Sequence, residues 1–214
     1  MKYKHLIWDW NGTLLDDTWL CIESINKILL KRGMPIVVKK DYRETFSFPV
    51  KKFYKTLGFD FVKESFEKIS SEFIQYYRDN FHRVNLHIDT ELILNNVLGS
   101  GRQQSILSAS KEESLISNIN FFNLENYFKK IVGIKNNLAD GKIDAALLLL
   151  DSIHMKGDDI LVIGDTIHDS DVAEKIGADC ILIDHGYVSR ERLNATKRSV
   201  FPNVLGVWNY INSF

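Results

Sequence analysis

Four short stretches of the sequence carry side chains whose types fit one chemistry. In LIWDWNGTLLDD, from Leu6 to Asp17, an apolar run reaches Asp9, and Asn11, Gly12 and Thr13 follow at once. SILSAS, from Ser105 to Ser110, brings Ser108 and Ala109 to the end of a second apolar run. Lys142 follows Asp140-Gly141, and GDTIHD, from Gly164 to Asp169, supplies Asp165 and Asp169. Carboxylates brought close together repel, and their repulsion raises the pKa values unless a cation neutralises them. A hard divalent ion with oxygen ligands does this, and Mg²⁺ is the usual choice where a phosphate completes the octahedron. The same ion would shield the charge of a phosphate, so that a carboxylate nucleophile could approach phosphorus. An aspartate can then react through an aspartyl-phosphate. Lys142 would offset the surplus negative charge. Ser108 and backbone N–H groups near the helix that starts about Lys111 would hold the phosphoryl oxygens.

These residues need a scaffold that brings them together from distant parts of the chain. Leu6 to Trp8 reads as a buried strand. Trp19, Ile22, Ile25, Ile28 and Leu29 fall at helical spacing between Asp17 and Arg32, and Gly33 with Pro35 stops that helix. Val62, Phe66, Ile69, Phe73 and Tyr77 give a second long amphipathic helix. Two short helices, Asp41 to Phe46 and Val50 to Leu57, lie between them. Beyond this helical block, strands and helices alternate. The expected order is a helix over Thr90–Leu98, a strand from Ser105 to Ser108, and a helix capped by Ser110 with Glu113 three residues later. A strand over Lys130–Ile134, a helix over Lys142–His154, a strand over Ile160–Ile163 and a helix over Asp169–Ile176 follow. Cys180–Ile183 is a further strand, and Asn203–Ile211 a final helix. Such alternation predicts an α/β fold, a Rossmann-like parallel sheet with an inserted all-helical cap, and an active site beyond the carboxyl ends of the strands. The expected domains are a core of residues 1–15 and 84–214 and a cap of residues 16–83.

Composition narrows the function classes. The 214 residues, 45% of them hydrophobic, suffice for one sizeable core with a smaller insert. With 27 basic and 28 acidic residues there is no basic field to suggest nucleic acid. Only two cysteines, Cys21 and Cys180, are present, so a disulfide framework and a cysteine metal site are not expected. The N-terminal apolar run is too short for a signal peptide and the longest run, Ala145–Leu150, too short to span a bilayer. A soluble cytoplasmic protein is expected, a monomer or weak homodimer whose partner is a small phosphorylated metabolite, with no membrane or nucleic-acid contact.

The four stretches resemble the motifs of the haloacid dehalogenase-like hydrolase superfamily. Asp9-Trp10-Asn11-Gly12-Thr13 is similar to its first motif, Asp-x-Asp-x-Thr. Ser108 resembles the strand-end hydroxyl of the second, Lys142 the lysine of the third, and Gly164-Asp165 to Asp169 the fourth, Gly-Asp-x-x-x-Asp. The helical block is similar to the cap of the phosphoglycolate-phosphatase-like branch. The resemblance implies a Mg²⁺-dependent phosphatase acting on a small phosphomonoester. It implies Asp9 as nucleophile and metal ligand, the Asn11 carbonyl as a metal ligand, and Asp165 and Asp169 as ligands or holders of metal-bound water. It implies Lys142 as a bridge between Asp9 and phosphate, and Gly12, Thr13, Ser108 and Ala109 around the phosphoryl group.

Asn11 departs from the pattern, because the family's acid at this position protonates the leaving oxygen and an amide cannot. General acid–base assistance is typically worth ~10²–10⁴-fold. Three readings follow: a phosphatase for better leaving groups or with a borrowed acid, a phosphonate-type hydrolase, and a non-catalytic phosphometabolite-binding or regulatory protein. His168, Asp16 and Asp17 are the candidate acids for the first, although Asp16 and Asp17 also read as the cap and first turn of the first helix. Lys39, Lys40, Lys51, Lys52 and Lys55 are the candidate Schiff-base lysines for the second. A dehalogenase is disfavoured, because the Asp165/Asp169 pair would then lack a purpose. Restoring an acid by Asn11→Asp is expected to help poor leaving groups most.

Overall fold

Pairing register brings the chemistry-bearing residues to one level. The computed structural model describes residues 2–135 and 141–213. Asp140 lies outside the described residues. The strands are β1 (His5–Trp8), β2 (Leu15–Asp16), β3 (Asn85–Leu86), β4 (Gln103–Lys111), β5 (Ile131–Ile134), β6 (Ile160–Gly164), β7 (Asp179–Ile183) and β8 (Ser199–Phe201). The helices are α1 (Thr18–Lys31), α2 (Lys39–Thr45), α3 (Val50–Thr56), α4 (Phe66–Asn80), α5 (Thr90–Gly99), α6 (Glu112–Phe121), α7 (Lys142–Ile153), α8 (Ile167–Lys175), α9 (Arg190–Asn194) and α10 (Val204–Ile211). Six strands form one parallel sheet in the order β5-β4-β1-β6-β7-β8. Trp8 lies opposite Ile106 of β4 and Ile163 of β6, so Asp9 and Asp165, just beyond the carboxyl ends of β1 and β6, come near the level of Ser108 in β4. The strand order reverses around β1, the position where parallel sheets open a crevice.

The sheet is buried on both faces. Ile7 packs into one apolar cluster with Leu107, Val162 and Leu182. Leu6 and Trp8 point the other way, to Ile106, Ile163, Leu94 and Val207. A strand covered on both sides needs a continuous apolar run, and Leu6–Trp8 supplies it. Helices α1 to α4 lie between β2 and β3, which pair antiparallel at Leu15–Leu86 and Asp16–Asn85. Their shared core joins Ile25 and Leu29 of α1 to Phe53, Tyr54, Phe66 and Ile69. These helical segments are consistent with a cap.

Four local expectations are corrected. Helix α4 starts at Phe66, where Ser65 accepts the Lys68 amide, and Val62 is 96% exposed in the preceding turn. Helix α8 starts at Ile167, so Asp169 occupies its first turn and does not begin it. Ser110 does not cap α6; β4 continues to Lys111 through a register shift after Leu107, and α6 begins at Glu112. An irregularity that keeps the strand paired wins over a capping box whose hydroxyl has another partner. Asp17 stands at the cap position of α1 but makes no side-chain cap bond, because its carboxylate is turned inward. No described helix is long and apolar enough to cross a membrane.

Candidate active site

The backbone after β1 turns sharply. The amides of Thr13, Leu14 and Leu15 all point at the Trp10 carbonyl, at 3.3, 3.0 and 3.0 Å. Gly12 makes this possible with φ of 76°, and a Cβ there would collide with the Asp165 carboxylate and crowd the Tyr187 ring. Asp9 is anchored through its amide to Ile163 O at 2.8 Å. Trp10, flanking Asp9, is fully buried against Phe122 with ring centroids 6.2 Å apart, so it packs the core.

Three carboxylates and one ammonium meet beside this turn. One ligand oxygen from each of Asp9, Asp165 and Asp169 lies within 4.8 Å of the others, and all three residues are buried. Lys142, the first residue of α7, donates to Asp9 Oδ1 and, at 2.6 Å, to Asp169 Oδ1. The other Asp169 oxygen accepts Thr166 N at 3.0 Å and Thr166 Oγ1 at 2.7 Å, which caps α8 and fixes the carboxylate. Asp165 accepts Thr13 Oγ1 at 2.8 Å and the Tyr187 amide at 2.6 Å.

The electrostatics show that one lysine is too little charge. Burial pushes the Asp9 carboxyl up to about 7, with Asp169 adding to the rise against the pull of Lys142. Burial, then Asp9 and Asp169, hold Asp165 well above the usual carboxylate range. Burial also works against the Asp169 charge, but the Lys142 ammonium and the Thr166 bonds outweigh it and keep this group below its ordinary value. Lys142 is likewise opposed by burial, and Asp169 and Asp9 raise it above its ordinary range. A cluster of oxygen ligands with surplus negative charge suits a hard cation.

Asn11 is held on both sides. A carboxylate only accepts, so the amide NH₂ faces Asp17 Oδ2, at 2.7 Å, and also reaches the Tyr77 hydroxyl at 3.2 Å. Asn11 Oδ1 accepts from Ser110 Oγ at 2.8 Å and from Ser108 Oγ at 3.4 Å. Asp17 also accepts Tyr77 OH at 2.7 Å, Tyr187 OH at 2.8 Å and the Gly12 amide at 2.9 Å. Burial raises the Asp17 pKa, while Tyr77, Asn11 and Tyr187 act against the rise.

A cavity of about 380 Å³ opens on these groups. Asp9, Asn11, Ser108, Ala109 and Lys142 line one end, and rings from the helical segment line the other. His168 is not among the lining residues, and its ring lies 5.0 Å from that of Phe48, which is. Lys39, Lys40, Lys51, Lys52 and Lys55 are not among the lining residues, and Lys51 instead lies over the Phe61 ring at 5.6 Å.

A family model described as haloacid dehalogenase-like hydrolase matches residues 6–183. The chain belongs to this family. Among curated proteins it is similar to a 5'-nucleotidase of Pseudomonas aeruginosa, 24% identical over 205 residues, covering 91% of this chain and 89% of that protein. Among solved structures it is similar to a predicted phosphatase from Clostridium acetobutylicum, with a TM-score of 0.81, 23% identity and all of both chains covered. It is also similar to a predicted phosphoglycolate phosphatase from Haemophilus somnus, with a TM-score of 0.80, 16% identity and 99% of each chain covered. At these identities the structural likenesses speak for the fold.

The structure brings Asp9, Lys142, Asp165 and Asp169 into one haloacid dehalogenase-like cluster. Ser108 and Ala109 lie on the cavity, and Gly12 and Thr13 pack against Asp165. Sequence reading missed Tyr77, Tyr187 and the inward roles of Asp17 and Ser110. A signal existed for Asp17 alone: an amide at residue 11 can donate to a carboxylate, and Asp17 is close in sequence.

Proposed function

We propose that this chain is a Mg²⁺-dependent phosphoric monoester hydrolase with Asp9 as its nucleophile. The observation that carries this reading is the buried Asp9–Lys142–Asp169 bridge with Asp165 beside it, open to a cavity at the carboxyl edge of the sheet. Asp9, Asp165, Asp169 and the Asn11 carbonyl would hold the ion, which supplies the positive charge that shields both phosphate and carboxylates. Lys142 orients Asp9 and offsets charge as the aspartyl-phosphate forms. Ser108 and backbone amides after β4 face the phosphoryl oxygens, and Thr13 keeps Asp165 turned inward. The helices of residues 16–83 act as the cap, excluding water from the reacting groups.

A second reading, a phosphometabolite-binding protein without turnover, draws on Asn11, whose amide is engaged by Asp17 and the serines and has no acidic proton to transfer to a leaving group. Acetyl phosphate separates the two, since its leaving group needs no protonation. The expected result is Mg²⁺-dependent hydrolysis by the wild type that disappears in Asp9→Asn. Retained Mg²⁺ and phosphate binding with no turnover would decide for the binding protein.

A further inference from the structure

We infer that the substrate is an aryl phosphate, a monoester whose leaving oxygen is carried by an aromatic ring, with that ring seated in the cap; this rests on the phosphatase reading above. Two independent observations converge on it. The first is at the reacting atoms. In the motif that the sequence resembles, position 11 holds the proton donor for the leaving oxygen; here it holds an amide that is tied to Asp17. An alkoxide leaving group has a conjugate acid about as weak as water, pKa ~15.7, and needs that proton. A phenolate, with a conjugate acid near pKa ~10 as for tyrosine, leaves without it. The Asp9 carboxylate oxygen bonds to phosphorus as the P–O bond to the ring breaks. The electron pair departs on the phenolate oxygen, which takes a proton from solvent. Water then attacks phosphorus, releasing phosphate and regenerating the carboxylate.

The second observation is the far wall of the cavity. Phe46, Phe48, Phe53, Phe73, Tyr77 and Phe81 line it. Phe46 meets Phe48 and Phe53 edge-on at 5.4 and 5.2 Å, and Phe73 stacks on Tyr77 at 6.1 Å. A void of roughly 150 Å³ accommodates benzene, so about 380 Å³ has room for a ring and a phosphoryl group. Ring on ring is the contact such a wall offers. Among the described lining residues the cations are Lys142, Lys111 and Arg78. Lys142 is held by Asp9 and Asp169, Lys111 donates to Glu113 at 2.6 Å, and Arg78 is exposed. A small carboxylate-bearing substrate therefore meets rings along most of this wall. Ser70 Oγ, buried in the same wall, has no hydrogen-bond partner among the described residues and can meet a polar edge of the ring.

Three substrates test the inference with the wild type and Mg²⁺: phenyl phosphate, 2-phenylethyl phosphate and acetyl phosphate. The first two share a ring but differ in leaving oxygen, and the third leaves easily but has no ring. Phenyl phosphate is expected to exceed 2-phenylethyl phosphate in kcat by at least ~10²-fold, the usual worth of a general acid. The 2-phenylethyl ester should inhibit with a Ki at least ~10-fold below the KM for acetyl phosphate, a ratio a single good ring contact supplies. Phe73→Ala and Phe73→Leu should both lower the phenyl-to-acetyl ratio of kcat/KM. Hydrolysis of acetyl phosphate without preference for phenyl phosphate, or a ratio unmoved by both Phe73 variants, overturns the aryl substrate and leaves the phosphatase standing. Hydrolysis of none of the three removes the phosphatase reading itself.

Discussion

Asn11 and Asp17 form a pair in which an amide donates to a buried carboxylate, and this changes what Asn11→Asp should do. The substitution alone places two carboxyl groups at hydrogen-bond distance, so one of them must hold a proton or move away. The exchange Asn11→Asp with Asp17→Asn restores one donor and one acceptor with the acid on the leaving-group side. The double variant is expected to raise kcat on an alkyl phosphate by ~10²-fold or more, as general acid assistance does, while Asn11→Asp alone gains far less. Steady-state kinetics of the three proteins check this, and equal gains from single and double variants would refute the pairing. The departure at Asn11 was legible from its residue type, and so were Asp9, Lys142, Asp165 and Asp169. The tyrosines around the pair were not, since Tyr77, which meets both Asn11 and Asp17, and Tyr187, which meets Asp17, lie 66 and 176 positions beyond Asn11 and show nothing locally but aromatic character.

At the scale of elements, the two long helices of the insert and most strands followed from apolar periodicity. Boundaries failed where a side chain found a tertiary partner instead of a local one. Ser110 fits a capping box by spacing, yet its hydroxyl serves Asn11 and the strand runs on. The short β2, β3, β8 and α9 lack enough residues for a periodic signal. Helix α2 meets the core through the rings of Tyr42 and Phe46 against Tyr187 and through arginine hydrogen bonds. Arg192 Nη1 donates to the carbonyls of Arg43 and Phe46 at 2.9 and 2.8 Å, and Arg43 Nη2 reaches Val188 O at 2.9 Å. Hydrogen bonds from a charged donor are worth about 1.5–3 kcal/mol. Arg192→Ala is therefore expected to speed amide exchange across Lys39–Thr45 by about tenfold, for about 1.4 kcal/mol lost, with the strands of the large sheet unchanged. Unaltered exchange in α2 would show that these bonds do not hold it.

For the whole molecule, strand–helix alternation made the parallel sheet readable, and the sheet explains why residues more than a hundred positions apart meet at one edge. A metal ion bound at this charge surplus would tie its binding to global stability. The Asp9 carboxyl is raised to about 7, above its ordinary 3.8. Between those values the folded chain keeps a proton the unfolded chain has lost, so this stabilising contribution is present at low pH and fades as pH rises through 7. On the Mg²⁺ reading, the ion must displace that proton below pH 7 and meets an ionised carboxylate above it. Saturation at 100 times Kd adds about 2.7 kcal/mol, or roughly 5–10 °C in Tm for a chain of this size. Calorimetry should show that Mg²⁺-induced rise at pH 8 and a clearly smaller one at pH 6. Equal rises would mean that Asp9 carries no such proton.

The covalent step at Asp9 is the claim on which the functional account turns. Acid quenching during turnover of acetyl phosphate with Mg²⁺, followed by borohydride reduction and tandem mass spectrometry, reads it directly. An aspartyl-phosphate at Asp9 should appear as homoserine at residue 9. Turnover with residue 9 unmodified, and sustained in Asp9→Asn, would contradict the account.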